Sequence, residues 1–339
     1  MSLTRELLSS VWATYQLDGQ PPVVEPAHGD GIGDLGGGSN LNLFATQSRR
    51  PVVVRVYRPS VGPARLAELQ RIRDLLREAR IPTPSLVPTA NGQRWLSFGG
   101  RLVEVEEYVQ HDANMDTWQR LIAGLPILGR IHSVLDGVDA TYETRCPAFA
   151  NAVDAADARA VTTRGVARIR SWVDVDVSVR RMCDEAEELA DLVAAAEGDT
   201  PPSHRQLVHG DFWDNNVLFR SGQVAAVIDF DFLGHRPRVD DLALTLFFAD
   251  LTLEPADSER IPLLRSLVDS YDTGLDQPLT PDERAAIPAA LARQQLWAFG
   301  HITRLDEESA RGLAKVLVGE LRRTLPIARN LDRWRNAFT

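Results

Sequence analysis

Two hydrophobic periods divide this chain. Near the N-terminus apolar residues alternate with polar ones at Leu41, Leu43 and Ala45, which is the period of a half-buried strand. A Val-rich run follows over 52–57, and further strand patterns lie near 94–98 and 102–107. Between them Leu66, Leu69, Ile72, Leu75 and Leu76 recur at helical spacing, predicting a helix over 64–80 that stops before Ile81-Pro82-Thr83-Pro84. Beyond about residue 108 the helical period takes over. Leu121, Leu125, Leu128, Ile131 and His132 predict one helix over 116–135, and 139–199 is rich in Ala, Arg and acids. The strand period returns briefly. Residues 206–208 and 217–219 read as short apolar strands, 220–223 as a turn, and 224–228 as a buried strand ending on Asp229. The pattern is α+β, with a β-rich part over 1–107 and a mainly helical part over 108–339.

Composition narrows the class. The chain has 339 residues, 44% hydrophobic and 25% charged, as expected of a soluble globular protein. No apolar run approaches the ~18 residues of a membrane span, and residues 1–12 lack the apolar core of a signal peptide. Cys146 and Cys183 make no disulfide framework. A cytoplasmic location is the expectation, with no membrane partner. The net charge of −10 argues against a nucleic-acid partner. Lys315 is the only lysine, so no Gly-x-x-x-x-Gly-Lys phosphate loop exists.

The chemistry concentrates in one stretch. Residues 209–216 read His-Gly-Asp-Phe-Trp-Asp-Asn-Asn, and Ile228-Asp229-Phe230-Asp231 follows. Asp211 is placed to take a hydroxyl proton, and Asn216 and Asp229 to hold magnesium, which are the parts of a phosphoryl-transfer site. The hairpin between them carries Asn216 and Asp229 to the same end. This pattern resembles the aminoglycoside phosphotransferase family, which includes choline and homoserine kinases and is distantly similar to the protein kinases. The resemblance implies a bilobal protein-kinase-like fold, with a small N-terminal nucleotide lobe and a larger, mainly helical lobe for catalysis and substrate.

The resemblance also assigns roles outside that stretch. Kinase-like folds place a phosphate-pairing lysine on an N-lobe strand; here Arg55 stands in its place, offering a bidentate fork. Its helix partner is Glu68, with Glu78 as the rival. The glycine cluster between two probable strands, with Gly37, Gly38, Ser39 and Asn40, offers backbone N–H groups to phosphate oxygens. Gly31-Ile32-Gly33-Asp34-Leu35-Gly36 satisfies a dinucleotide fingerprint but lacks the strand before it and the helix within it. Residues Glu107, Tyr108 and Val109 match the interlobe hinge that meets the adenine. His209 fixes the catalytic loop, Asp241 anchors it through its backbone N–H groups, and His132 is a packing residue. Asp231 is a candidate ligand for a second magnesium.

The expected reaction is transfer of the γ-phosphoryl group of ATP or GTP, with Mg2+, to a hydroxyl of a small molecule. Trp213, Asp214 and Asn215 are candidates for the acceptor pocket. The surplus of acids between Asp240 and Glu283 over Arg260 and Arg265 points to a cationic acceptor. An antibiotic or other secondary metabolite leads, followed by an amino alcohol such as homoserine or choline, then a protein serine. The missing lysine motivates a fourth reading, a catalytically silent nucleotide-binding module.

Overall fold

The computed structural model describes residues 3–22, 40–145, 151–198 and 204–339. Gly37, Gly38, Ser39, Cys146 and the loop over 200–203 lie outside the described residues. The chain divides into two compact units, Met1–Asp112 with Ala225–Ile228, and Ala113–Val224 with Asp229–Thr339.

The first unit is a twisted antiparallel sheet between two helices. Its elements are α1 (Leu3–Tyr15), β1 (Leu41–Gln47), β2 (Arg50–Val56), α2 (Pro63–Glu78), β3 (Leu86–Val87), β4 (Leu96–Phe98) and β5 (Arg101–Glu107), with strand order β1-β2-β5-β3 and β4 also on β5. The β1–β2 hairpin turns on Ser48 and Arg49, both at positive φ of 49° and 65°. That is the primed geometry usually given to Asn-Gly, because its twist suits the flanking strands. Here Asp18 compensates by accepting the N–H groups of Ser48 and Arg49 at 3.2 and 2.8 Å. On one sheet face Val52, Val54, Val56, Val103 and Val105 pack with Leu7, Leu8, Val11, Trp12 and Tyr15 of α1. The opposite face carries Arg55, Tyr57, Glu104 and Glu106, all buried.

The second unit is mainly helical. In chain order it holds β6 (Ala113–Asn114), α3 (Trp118–Leu135), α4 (Tyr142–Arg145), α5 (Ala155–Arg170), α6 (Val177–Gly198), β7 (Arg205–Val208), β8 (Val217–Arg220), β9 (Gln223–Val227, shared with the first unit), β10 (Gly234–Pro237) and α7 (Arg238–Leu253). Then come α8 (Asp257–Asp272), α9 (Pro281–Arg293), α10 (Trp297–Ile302), α11 (Glu307–Ala328) and α12 (Leu331–Phe338). α3 begins at Trp118 and not at 116, because the Thr117 side chain accepts the Arg120 N–H and caps it there. β8 turns into β9 through Ser221 and Gly222, at φ 51° and 78°. Residues 234–237 form β10 and pair antiparallel with β7 in the register Gly234↔Val208 to Pro237↔Arg205. β7 is an edge that needs a partner, and Gly234 and Arg236 supply its buried positions. This ladder brings the turn after Asp229 alongside the segment that carries Asp211.

Candidate active site

β7 runs directly into His209, Gly210 and Asp211. Gly210 sits at φ +85°, and a Cβ there would lie 2.1 Å from the Phe232 carbonyl oxygen and 2.6 Å from Arg236 Nη2. Only glycine fits this crossing. The ring of His209 is fully buried, 4.5 Å from Phe230 and 5.7 Å from Phe212 between centroids. Its Nδ1 accepts the Asp211 N–H at 3.1 Å, which places the ring proton on Nε2. The Gly210 N–H donates to Asp241 Oδ1 at 2.9 Å. The other Asp241 oxygen meets His132 Nε2 at 3.0 Å, and His132 Nδ1 meets the Tyr271 hydroxyl at 2.6 Å. Three helices, α3, α7 and α8, thus hold the loop from behind. Both ring nitrogens of His132 are engaged inside the protein.

The Asp211 carboxylate is gripped at both oxygens. Asn216 Nδ2 donates to Oδ2 and to the Asp211 carbonyl, each at 2.8 Å, and Asn151 Nδ2 donates to Oδ1 at 3.0 Å. Burial, and then the charge of nearby Asp229, push the Asp211 carboxyl up to about 7. A carboxylate so raised is a better proton acceptor near neutral pH. Asn151 had no sequence signal, since it falls in a segment without periodicity or motif.

With Nδ2 of Asn216 turned to Asp211, the side chain's Oδ1 is the atom it presents to a cation. Asp229 lies at φ +62°, an uncommon conformation for a residue with a Cβ. The Asp231 N–H lies 3.5 Å from Asp229 Oδ1 and its side chain is buried. Among the described residues no group of three or more His, Cys, Asp or Glu could cage a metal ion. Magnesium fits this donor set, because at nucleotide sites it takes one or two protein carboxylates and completes its shell with phosphate oxygens and water.

In the first unit, Arg55 of β2 is buried, stands directly opposite Glu104 of β5, and lays its guanidinium 5.4 Å from the Tyr57 ring. Glu68 of α2 is buried and takes a bidentate pair from Arg71 at 2.8 Å for both bonds, whereas Glu78 is exposed. The sequence reading missed what surrounds Arg55. Arg73 Nη1 donates to Glu104 Oε1 at 2.8 Å and to Glu106 Oε1 at 2.5 Å. Tyr57 and Gln70 donate to the two Glu104 oxygens at 2.6 and 2.7 Å. The alternation Glu104, Glu106 was the available signal, although it normally marks a solvent face. Asn40 is buried and accepts the Arg58 N–H through Oδ1 at 3.1 Å. At 107–109, the Glu107 N–H donates to Ser85 and the Tyr108 N–H to Pro51, at 2.9 and 3.1 Å.

Trp213 stacks at 4.5 Å on Phe248 of α7, and Asn215 Oδ1 accepts Asn114 Nδ2 at 3.3 Å. Burial, with the charge of Asp116 among the further causes, raises Asp214 above the usual carboxylate range. The acids of 240–283 tell a different story from their sequence. Asp250 holds Arg260 and Arg323 through two bidentate pairs at 2.6–2.8 Å, Asp240 pairs with Arg293, Glu283 with Arg238, and Asp269 and Asp272 with Arg284. Arg260 lies within the stretch, Arg238 and Arg284 flank it, and Arg293 and Arg323 come from later helices; Glu254, Asp257, Glu259, Asp276 and Asp282 stay exposed.

A sequence model of the family described as "Phosphotransferase enzyme family" matches residues 31–272. Homoserine kinase of Zymomonas mobilis is 23% identical over 252 residues, covering 74% of this chain and 73% of that protein. Among solved structures, amicoumacin kinase hAmiN in complex with AMP-PNP, Ca2+ and Ami superposes with a TM-score of 0.62 at 14% identity, covering 86% of this chain and 88% of that one. A microcompartment-associated aminopropanol kinase does so with a TM-score of 0.60 at 16% identity, covering 93% and 95%. These likenesses establish the α+β kinase-like fold.

Proposed function

This chain belongs to the phosphotransferase enzyme family, and from that premise we propose that it transfers the γ-phosphoryl group of ATP to a hydroxyl of a small, amine-bearing molecule. The observation that carries the reading is the Asp211 carboxylate, gripped at both oxygens and lifted by burial beside Asp229. Asp211 takes the acceptor's proton as its oxygen attacks the γ-phosphorus, and the bond to the β–γ bridging oxygen breaks. Asn216 and Asp229 hold magnesium, with Asp231 available to a second ion, and the cation neutralises charge on the triphosphate. Arg55 pairs with phosphate, Glu68 steadies Arg55, and Asn40 lines the phosphate side. The Glu107 carbonyl and the Val109 N–H meet the adenine edge, since the neighbouring N–H groups are spent within the sheet.

An amine on the acceptor is supported by two kinds of partner in the second unit. Trp213 and Phe248 offer an aromatic face, and Asp214 and Asp116 offer carboxylates. Homoserine and aminopropanol, named for the proteins compared above, carry an amine and a hydroxyl a few bonds apart, and many antibiotics carry both groups. A silent nucleotide-binding module has no need of Asp211, Asn216 and Asp229 together. The test is ATP turnover against amino alcohols, hydroxylated antibiotics and a protein substrate, with wild type and Asp211→Asn. A positioned base is worth roughly 10²–10⁴-fold, so Asp211→Asn should lower kcat by that factor with nucleotide affinity nearly intact. More than a tenth of wild-type kcat in the variant removes Asp211 from the role.

A further inference from the structure

Asn151 lies between two partners that demand opposite faces of its amide. A guanidinium has donors only and an ionised carboxylate acceptors only. Arg236 Nη1 and Nη2 both donate to Asn151 Oδ1 at 3.3 Å, and Asn151 Nδ2 donates to Asp211 Oδ1 at 3.0 Å. The amide can therefore take only one orientation. Arg236 is itself fixed: its Nη2 donates to the Phe232 carbonyl at 2.9 Å, and in β10 it stands opposite Gln206 of β7. Gln206 in turn donates to the His132 carbonyl at 2.7 Å. Both Asn151 and Arg236 are buried.

We propose that Asn151, locked by Arg236, is a positioning residue that sets the rotation of the Asp211 carboxylate; this rests on the reading of Asp211 as the base. Asn216 alone tethers one carboxylate oxygen and leaves the group able to swing about Cβ–Cγ. A second donor on the other oxygen removes that freedom and directs the remaining lone pairs in fixed directions. A misplacement of about 1 Å at a reacting group can cost ~10²-fold in rate. The Arg236–Asn151–Asp211 chain supplies this precision from outside the His-x-Asp loop. Asn151 enters from the segment before α5, and Arg236 from a strand paired with β7.

The experiment is a double-mutant cycle on kcat, with nucleotide and acceptor KM recorded and thermal melting as a fold control. Asn151→Ala should lower kcat by about ten- to a hundredfold, with nucleotide KM changed less than about twofold. In the Asp211→Asn background the same change should alter the residual kcat by less than about twofold, because residues acting through one group are non-additive. Arg236→Met should reproduce the kcat loss of Asn151→Ala, and Arg236→Lys should recover most of it. Should Arg236→Met fail to fold, the Asn151 cycle decides alone. Additive losses, an unchanged kcat in Asn151→Ala, or a loss confined to KM would each overturn the proposal. If Asp211→Asn itself keeps its activity, the reading of the site has failed; if only Asn151→Ala keeps it, the positioning role alone has failed.

Discussion

Asp229 holds a left-handed φ of +62° two residues beyond the end of β9, a conformation that tends to persist where surrounding structure over-determines it. Its carboxylate faces the charge of Asp211, and two nearby acids gain from a cation that neutralises them. Asp229→Asn should therefore weaken magnesium-dependent nucleotide binding and activity together. Calorimetry with and without magnesium measures this, and an unchanged magnesium dependence in the variant removes Asp229 from the metal. Arg55 makes the other residue-scale case. Lysine offers three donors on a compact ammonium where arginine offers a planar fork with five. Arg55→Lys should raise the KM for ATP a few-fold and not lower it. Arg55→Ala should raise it further, by roughly ten- to a hundredfold if a charge-assisted bond of about 1.5–3 kcal/mol is lost. An Arg55→Ala enzyme with unchanged KM and kcat leaves Arg55 a structural partner of the Tyr57 and Glu104 face.

That face is the element-scale feature of the first unit. β5 presents Val103 and Val105 to the core under α1 and presents Glu104 and Glu106 to α2. One guanidinium, that of Arg73, serves both acids. Although burial opposes it, Glu104 falls to about 2 because Arg73, Tyr57 and Gln70 favour its ionised form. Burial first, with Glu104's charge adding to it, raises Glu106 from 4.5 to about 7. The folded state therefore keeps a proton on Glu106 that the unfolded chain releases above 4.5. Below pH 4.5 both states are protonated; between 4.5 and 7 this group makes stability fall as pH rises, and above 7 its effect is constant. Glu106→Gln removes the titration and keeps an acceptor for Arg73. Denaturant unfolding across that window should show a shallower fall for the variant. Parallel curves for the two proteins would mean that Glu106 titrates like a free carboxylate.

Across the whole molecule positive charge is carried almost entirely by arginine: of 37 Lys and Arg side chains all but Lys315 are Arg. Each Arg presents a fork matched to a carboxylate, and the second unit uses it repeatedly, most completely where Arg260 and Arg323 clasp Asp250. Asp240, Asp250, Asp269, Asp272 and Glu283 are thereby committed to holding helices together, and the acceptor contacts proposed at Trp213, Asp214 and Asp116 are short-range. For an amine-bearing acceptor, kcat/KM should change by less than about threefold between roughly 0.05 and 0.3 M salt, since short-range contacts are screened weakly. A steep fall with salt would show that a free acidic field steers the acceptor. Among the described residues no helix is long and apolar enough to cross a membrane.

The sequence by itself determined what is local. Period-2 and period-3.6 runs fixed β1, β2, α2 and most of α3 to within a few residues, because each is set by which face of a short segment must be dry. The His-Gly-Asp run with Asn216 and Asp229 was legible because a loop, a turn and a hairpin fix its spacing along the chain. Only the tertiary structure decided which distant side chains meet. Alternation with Val103 and Val105 would suit a solvent face for Glu104 and Glu106, yet α2 covers both with Arg73. Asp240 and Asp250 read as part of a cationic lure until Arg293 of α9 and Arg323 of α11 pair with them. Asn151 has no signal at all until β7 and β10 pair and bring Arg236 behind it. Periodicity reports burial along one element, whereas the partner of a buried charge is chosen by how elements pack.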